Sequence, residues 1–485
     1  MATKDEAACG RLLIDGRWQD SDRREPNRNP SDLSDLIGDY AWASVAQAEE
    51  ALAAARRALV GWSRSNPQLR SDILRRAANA IYDRAEVLAT VLAREEGKIL
   101  RDARGEAIRA AQIFHYYSGE SVRHRGGFFP SLRDGINIIV DYEPVGVVAL
   151  ITPWNFPLAT PAWKIAAALA YGNTVVFKPS EVSPGCAVAL TEILVEAGVP
   201  PGVFNLVMGS GVELGDTLIA GANGVSFTGA IPIGRTVLER AARTMTKVQL
   251  ELGGKSPLVV LDDADLDQAV QVAFDGAFPQ TGQRCTASSR LIVTGGIHDA
   301  FVERLTSKAM AVRVGHALDP GSDIGPVATE AQLAKDLRYV AEGKREGAEL
   351  LCGGERLQRP TEGYYFAPAL FANTTNAMRL NREEVFGPVA GVIRVGDLEE
   401  AIAVARDADY ALSSAICTRS LAAAEKFRRA STAGMVMVNA PTSGAEYHVP
   451  FAGRVPSGFG APEQGAAAAE FFTEVKTTYV NHGVT

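Results

Sequence analysis

Cysteine is scarce and scattered. The 485 residues hold five, at Cys9, Cys186, Cys285, Cys352 and Cys417, with no CxxC and no Cys/His pair at ligand spacing. That spacing excludes a structural zinc site and a disulfide framework, and no metal is expected. Free thiols fit a reducing, cytoplasmic compartment. Basic runs are also missing. Lys and Arg total 49 against 57 Asp and Glu, a net charge of −8, so no nucleic-acid footprint is present. Met1–Gly10 lacks the apolar run of a secretory signal. Only one stretch, Pro144–Trp163, is free of charge and long enough to span a bilayer. Pro144, Pro153, Pro157 and Pro161 interrupt it, and Asn155 sits inside. Prolines so dense break a spanning helix. The stretch reads as a buried strand followed by a loop, and no membrane partner is expected.

What is present is an ordinary globular composition, about half apolar, in a chain long enough for two or three domains. The first third reads as helical. Ser44 and Gln47 make a capping box before an Ala-rich helix that runs to about Val60. A second helix follows Pro67, with Leu69, Ile73, Ala77 and Ile81 on one face, and a third carries Ile108, Ala111 and Phe114. Ile136, Ile138, Val140 and Tyr142 alternate as in a half-exposed strand.

From Val145 the texture becomes strand–helix alternation, which predicts a parallel sheet covered by helices. Expected strands are Val145–Ile151, Thr174–Phe177, Phe204–Met208, Val225–Phe227 and Lys247–Leu250. A second series begins near Ser256, with strands Leu258–Leu261 and Arg290–Val293. Phe471–Val480 reads as a last strand. Open α/β sheets bind ligands beyond the C-terminal ends of their strands. The places to look are Thr152–Pro157, Lys178–Glu181, Thr228–Gly234 and Glu251–Gly254.

Cys285 stands apart from the other cysteines, which read as small core residues. Its loop, Gln-Thr-Gly-Gln-Arg-Cys-Thr, is polar and contains glycine. A thiol beside Arg284 can carry thiolate character, the reactive form. Glu251 ends a strand and precedes two glycines; buried there, its carboxylate could serve as a general base, whereas a solvated Glu would not. Asn155 lies on a proline-stiffened loop, where its amide can donate to an oxyanion or simply stabilise its own turn. Gly229–Gly234 leads from a strand into a helix and offers backbone N–H groups to a phosphate.

Six segments occur in order: Pro153-Trp154-Asn155-Phe156-Pro157, Lys178-Pro179-Ser180-Glu181, Phe227-Thr228-Gly229, Glu251-Leu252-Gly253-Gly254-Lys255, Gly282-Gln283-Arg284-Cys285 and Glu384-Val385-Phe386-Gly387-Pro388. On these the sequence resembles the NAD(P)-dependent aldehyde dehydrogenase superfamily, from about Leu13 to Val480. The resemblance implies an α/β aldehyde dehydrogenase fold. A Rossmann-like cofactor domain would take residues 1–122 and 145–252, and an α/β catalytic domain 253–457. A small β oligomerisation unit would take 123–144 and 470–485, in a homodimer or homotetramer.

The resemblance also implies roles. Cys285 would attack the aldehyde, and Asn155 would hold the oxyanion with the Cys285 N–H. Glu251 would activate water to release the thioester, and Lys164 and Glu463 would lie on the proton path. Lys178, Ser180 and Glu181 would face the adenosine ribose. Gly229 and Gly234 would border the pyrophosphate, Glu384 would hold the nicotinamide ribose, and Phe386 would pack on the nicotinamide. A carboxylate at Glu181 favours NAD, with NADP as the alternative. Phe156, Arg284 and Phe451 would meet the substrate, with Arg284 as the cation for an anionic one. Four positions depart from the commonest pattern: Ala230 in place of Ser, Gln280 in place of Asn, Ala452 in place of Gly, and Val455-Pro456-Ser457-Gly458 without Lys.

Within the superfamily, Ala433–Asn439, Tyr447–Phe451 and Gln283–Arg290 look like 2-oxoglutarate semialdehyde dehydrogenases, which oxidise 2,5-dioxopentanoate. The alternatives are a broad-specificity or succinate-semialdehyde enzyme, a coenzyme A-acylating one, which Glu251 argues against, and a silent scaffold.

Overall fold

Five short apolar runs lie side by side as the parallel centre of an eight-stranded sheet. In order across it they are Lys247–Leu252, Gly224–Gly229, Val147–Ile151, Thr174–Lys178 and Phe204–Leu206. Their residues are almost continuously buried because helices such as Val45–Trp62 and Ala159–Ala170 pack against them. The computed structural model describes residues 10–123 and 126–483. Cys9 and nearly all of Met1–Gly10 lie outside the described residues, as do any expectations for them.

The chain lays Val147–Ile151 in the middle, adds the next two strands on one side, then crosses to add Gly224–Gly229 and Lys247–Leu252 on the other. That reversal opens a crevice at the C-terminal ends of Val147–Ile151 and Gly224–Gly229. The crevice is therefore bounded by the loops after Ile151 and Gly229, two of the four places named from sequence.

A second sheet has seven strands, with Ser288–Thr294 between Val389–Val395 and Ser256–Val260. All its pairings are parallel except the edge pair Glu349–Cys352 with Ala369–Ala372. Asp265 caps the helix Leu266–Ala277 by accepting the Gln268 N–H. Thr473–Asn481 runs antiparallel to Ile136–Pro144, which also pairs with Gly127–Pro130. The alternating segment and the last strand expected from sequence thus meet in one three-stranded sheet.

The start of the chain differs from its sequence reading. Four strands, Leu12–Ile14, Arg17–Gln19, Arg23–Asn29 and Asp32–Trp42, precede the first helix. Arg23–Asn29 and Asp32–Trp42 pair only with each other and are mostly half-buried. They have no buried face to impose an apolar alternation, so no pattern announced them. The capping box at Ser44 and Gln47 is present, and its helix ends at Trp62. An unexpected helix, Ala85–Glu96, stands between the second and third expected ones. On the second, Pro67–Asp83, Ile73, Ala77 and Ile81 are buried but Leu69 is 45% exposed, since the core begins one turn further in.

Candidate active site

The first sheet's C-terminal edge supplies three side chains to one cavity of about 610 Å³. Asn155 comes from the loop after Val147–Ile151, Thr228 and Gly229 from the end of the next strand, and Glu251 from the end of Lys247–Leu252. Cys285 enters from the opposite wall, on the loop that leads into Ser288–Thr294.

That loop is held from several directions. Asn155 Nδ2 donates to the Gln283 carbonyl at 3.0 Å, and the Ala328 N–H donates to Gln283 Oε1 at 2.9 Å. Gly282 sits at φ +65°, and a Cβ there would lie 2.3 Å from the Gly387 carbonyl. Only glycine fits. A Cβ on Gly254 would lie 2.2 Å from the Cys285 carbonyl, so the chain after Glu251 also passes close against the loop.

Cys285 is partly exposed to the cavity. Burial, then the carboxylates of Glu384 and Glu251, push its thiol up to about 12. The adjacent Arg284 does not offset this. That guanidinium is buried, gives Nη2 to the Asp275 and Gly276 carbonyls at 2.8 and 2.7 Å, and gives Nη1 to Ser443 Oγ at 3.0 Å. Burial lowers it to about 10. Arg284 lines the cavity, but its forked end is spent on the loop and the end of helix Leu266–Ala277.

Glu251 accepts the Gly453 N–H at 3.2 Å. Burial, and then the nearby Glu463, hold its carboxyl well above the ordinary carboxylate range. Glu463 pairs with Lys164, and Lys164 Nζ also donates to Ser226 Oγ at 2.7 Å. Both lie behind Glu251, outside the cavity lining. Trp163 Nε1 donates to Glu463 as well, while the Trp163 ring stacks on Phe451 at 5.8 Å. Phe156 and Phe451 both line the cavity.

Asn155 is positioned from behind by a buried pair. Lys98 Nζ donates to the Asn155 carbonyl at 2.7 Å and to Glu106 Oε2 at 2.6 Å. Glu106 Oε1 accepts the Leu158 and Ala159 N–H groups at the start of helix Ala159–Ala170. Sequence reading passed over both residues, because a Lys and a Glu on a mostly polar stretch carry no local mark of burial.

On the other arm of the cavity, Glu384 Oε1 accepts the Gly254 N–H at 2.9 Å. Burial raises its carboxyl. Phe386 takes φ +63° and meets Trp154 edge-on at 5.5 Å. Gly229 borders this arm; Gly234 does not, being buried inside helix Ile231–Ala242, where a Cβ would strike Leu252. That helix starts at Ala230 with no side-chain cap, so its first N–H groups face the cavity mouth without a protein partner from that residue. Gln332 and Lys335, on helix Glu330–Arg345, line the same arm and were not anticipated. They lie three residues apart on an amphipathic helix, a spacing that any solvated face also has.

Lys178 and Glu181 stand at the end of the adjacent strand, away from the main cavity. Lys178 Nζ donates to Glu181 Oε1 at 2.9 Å, and Glu181 also accepts the Gly211 N–H at 2.9 Å. Burial raises the Glu181 carboxyl, but Lys178 and the Gly211 N–H outweigh it and leave it lowered. Ser180 Oγ accepts the Val182 N–H in a local turn. Among the described residues no cluster of three or more His, Cys, Asp or Glu could hold a metal, and no helix is long and apolar enough to cross a membrane.

The arrangement combines a thiol, an amide donor, a buried carboxyl and a glycine-bordered helix start. Residues 18–478 match the model of the aldehyde dehydrogenase family. The chain is 40% identical to an alpha-ketoglutaric semialdehyde dehydrogenase of Bacillus subtilis (strain 168), over 96% of this chain and 97% of that one. It is 39% identical to a 2,5-dioxopentanoate dehydrogenase of Saccharolobus solfataricus, over 93% and 95%. Among solved structures, betaine aldehyde dehydrogenase from Staphylococcus aureus, crystallised with NAD+, superposes with a TM-score of 0.95 at 33% identity, over 98% of this chain and 95% of that one.

Proposed function

The chain belongs to the aldehyde dehydrogenase family, and from that premise we propose that it oxidises a small semialdehyde, such as 2,5-dioxopentanoate, to the carboxylate. The observation that carries the proposal is the meeting of Cys285, Asn155 and Glu251 on one cavity. Cys285 Sγ bonds to the aldehyde carbon while the thiol proton leaves. The carbonyl oxygen becomes an oxyanion, stabilised by the Asn155 amide and the Cys285 N–H. A nicotinamide dinucleotide, when bound, accepts the hydride from that carbon. Water then attacks the resulting thioester, Glu251 takes its proton, and the C–S bond breaks to return the thiol. The raised Cys285 thiol means that attack needs a base to remove its proton, and Glu251 is the carboxyl placed to do so once ionised.

The residues present fit a dinucleotide. The uncapped start of helix Ile231–Ala242, with Gly229 beside it, suits a pyrophosphate. Glu384 would hold the nicotinamide ribose, with Phe386 beside the ring. Lys178, Ser180 and Glu181 would meet the adenosine ribose. An ionised Glu181 repels a 2′-phosphate, which supports NAD ahead of NADP. Lys164 and Glu463 would pass protons behind Glu251.

The three-stranded sheet exposes Phe128, Phe129, Val475 and Tyr479, which supports assembly into a homo-oligomer. The free cysteines at Cys186, Cys285, Cys352 and Cys417 support a reducing, cytoplasmic setting.

The test is an aldehyde panel with both dinucleotides, without coenzyme A, for the wild type and Cys285→Ala. The expected result is reduction of dinucleotide with matching carboxylate formation, abolished in a folded Cys285→Ala protein. Unchanged oxidation in that variant would sink the proposal.

A further inference from the structure

Four basic side chains line the cavity: Arg101, Arg109, Arg284 and Lys335. Three of them are accounted for. Arg101 Nε donates to Asp102 Oδ1 at 3.2 Å. Arg284 spends both Nη groups on two carbonyls and Ser443. Lys335 lies beside Glu384 on the arm that fits the dinucleotide. Arg109 is different. Among the described residues its guanidinium has no hydrogen-bond acceptor and no ion-pair partner, and it lies over the Tyr447 ring, 5.4 Å from the centroid. The acids nearby cannot serve it, because Asp102 is paired with Arg101 and Glu106 with buried Lys98.

We propose that Arg109 binds the carboxylate at the far end of the substrate and makes the enzyme selective for ω-oxo acids; this rests on the aldehyde oxidation proposed above for Cys285. A guanidinium presents two parallel N–H donors that match a carboxylate. Stacking on Tyr447 holds the fork in place before substrate arrives, so less freedom is lost on binding. Arg109 also sits on a well-anchored element. It follows Glu106 by three residues on helix Leu100–Glu120, and Glu106 is tied through Lys98 to the Asn155 carbonyl. One helix therefore fixes both the far-end cation and the loop bearing the oxyanion donor. The same geometry disfavours a quaternary ammonium aldehyde. The unpaired cation repels it, and the Tyr447 face that could receive it is already taken by Arg109.

The experiment compares kcat/KM for 2,5-dioxopentanoate with that for pentanal, in the wild type, Arg109→Met and Arg109→Lys. Arg109→Met is expected to lower the ratio of the two about 30-fold, mainly through KM for the oxo acid, with Arg109→Lys recovering part. In parallel, 2-oxoglutarate binding is measured by calorimetry in Cys285→Ala protein, with and without Arg109→Met, and is expected to weaken by about the same factor. A ratio that does not move, or an equal loss on both aldehydes, overturns the proposal. So does 2-oxoglutarate binding that ignores Arg109. If the wild type oxidises no aldehyde while 2-oxoglutarate binding still depends on Arg109, the oxidation reading fails and the anion site stands.

Discussion

At Glu251 the chemistry turns on a carboxyl that burial and Glu463 keep protonated well above the usual range. As the base proposed for thioester release, it would accept a proton from water only after losing its own, so turnover limited by that step should rise with pH above the ordinary carboxylate range. Glu251→Gln should still give a burst of about one reduced dinucleotide per site, formed more slowly than in wild type because Glu251 also deprotonates Cys285, followed by a steady rate about 100-fold below wild type. It should also abolish the rising pH limb. Rapid-mixing absorbance of the reduced dinucleotide checks both; a variant with no burst but normal steady turnover would remove Glu251 from the release step. Cys285 and Arg284 teach a related lesson. Adjacent residues in sequence are not partners in space: the guanidinium turns to the Asp275 and Gly276 carbonyls, and the thiol is left among carboxylates.

Helix Ile231–Ala242 is the element where a local sequence choice touches function. Its N-cap, Ala230, is extended at φ −72° and ψ 144°, the conformation from which a Ser side chain accepts the N–H three residues on, that of Ile233, since Pro232 has none. Ala230→Ser should stabilise the protein by about 1 kcal/mol, measured by denaturant unfolding. If this helix start binds the pyrophosphate, the added hydroxyl also supplies a donor there, and dinucleotide Kd should fall severalfold by calorimetry. Tighter folding without tighter binding would place the dinucleotide elsewhere. The capping box at Ser44 was readable because caps are local chemistry. The hairpin Arg23–Asn29 with Asp32–Trp42 was not, because a pair of strands without a buried face needs no apolar period.

Over the whole molecule, several carboxyls are buried where the loss of solvent outweighs what nearby charges and donors return. Burial raises Glu95 to about 7, Glu96 to about 8 and Asp336 to about 8. Neither Glu96 oxygen has a hydrogen-bond partner. Each folded value lies above its unfolded one, so their stability contribution is full below the ordinary carboxylate range. It is lost as pH rises through 7 to 8, where the unfolded chain has already released these protons. Unfolding free energy should therefore decline between about pH 5 and pH 8, by up to ~1.4 kcal/mol per unit for each group. Glu96→Gln should flatten that slope, as read from denaturant midpoints across the range; an unchanged slope would mean that Glu96 is ionised when buried.

The sequence by itself determined the central strands, the starts of the first two helices, the free thiols and the identity of the residues around Cys285. These follow from period, capping and short motifs, which are properties of neighbours along the chain. Tertiary structure alone decided what each of those residues meets. It brought Asn155 to Gln283 across 128 positions and Lys164 to Glu463 across 299. It also left Arg109 as a cation in the cavity with no ion-pair partner among the described residues. Burial and pairing depend on contacts between distant segments, and no local pattern records whether a charge will find its partner.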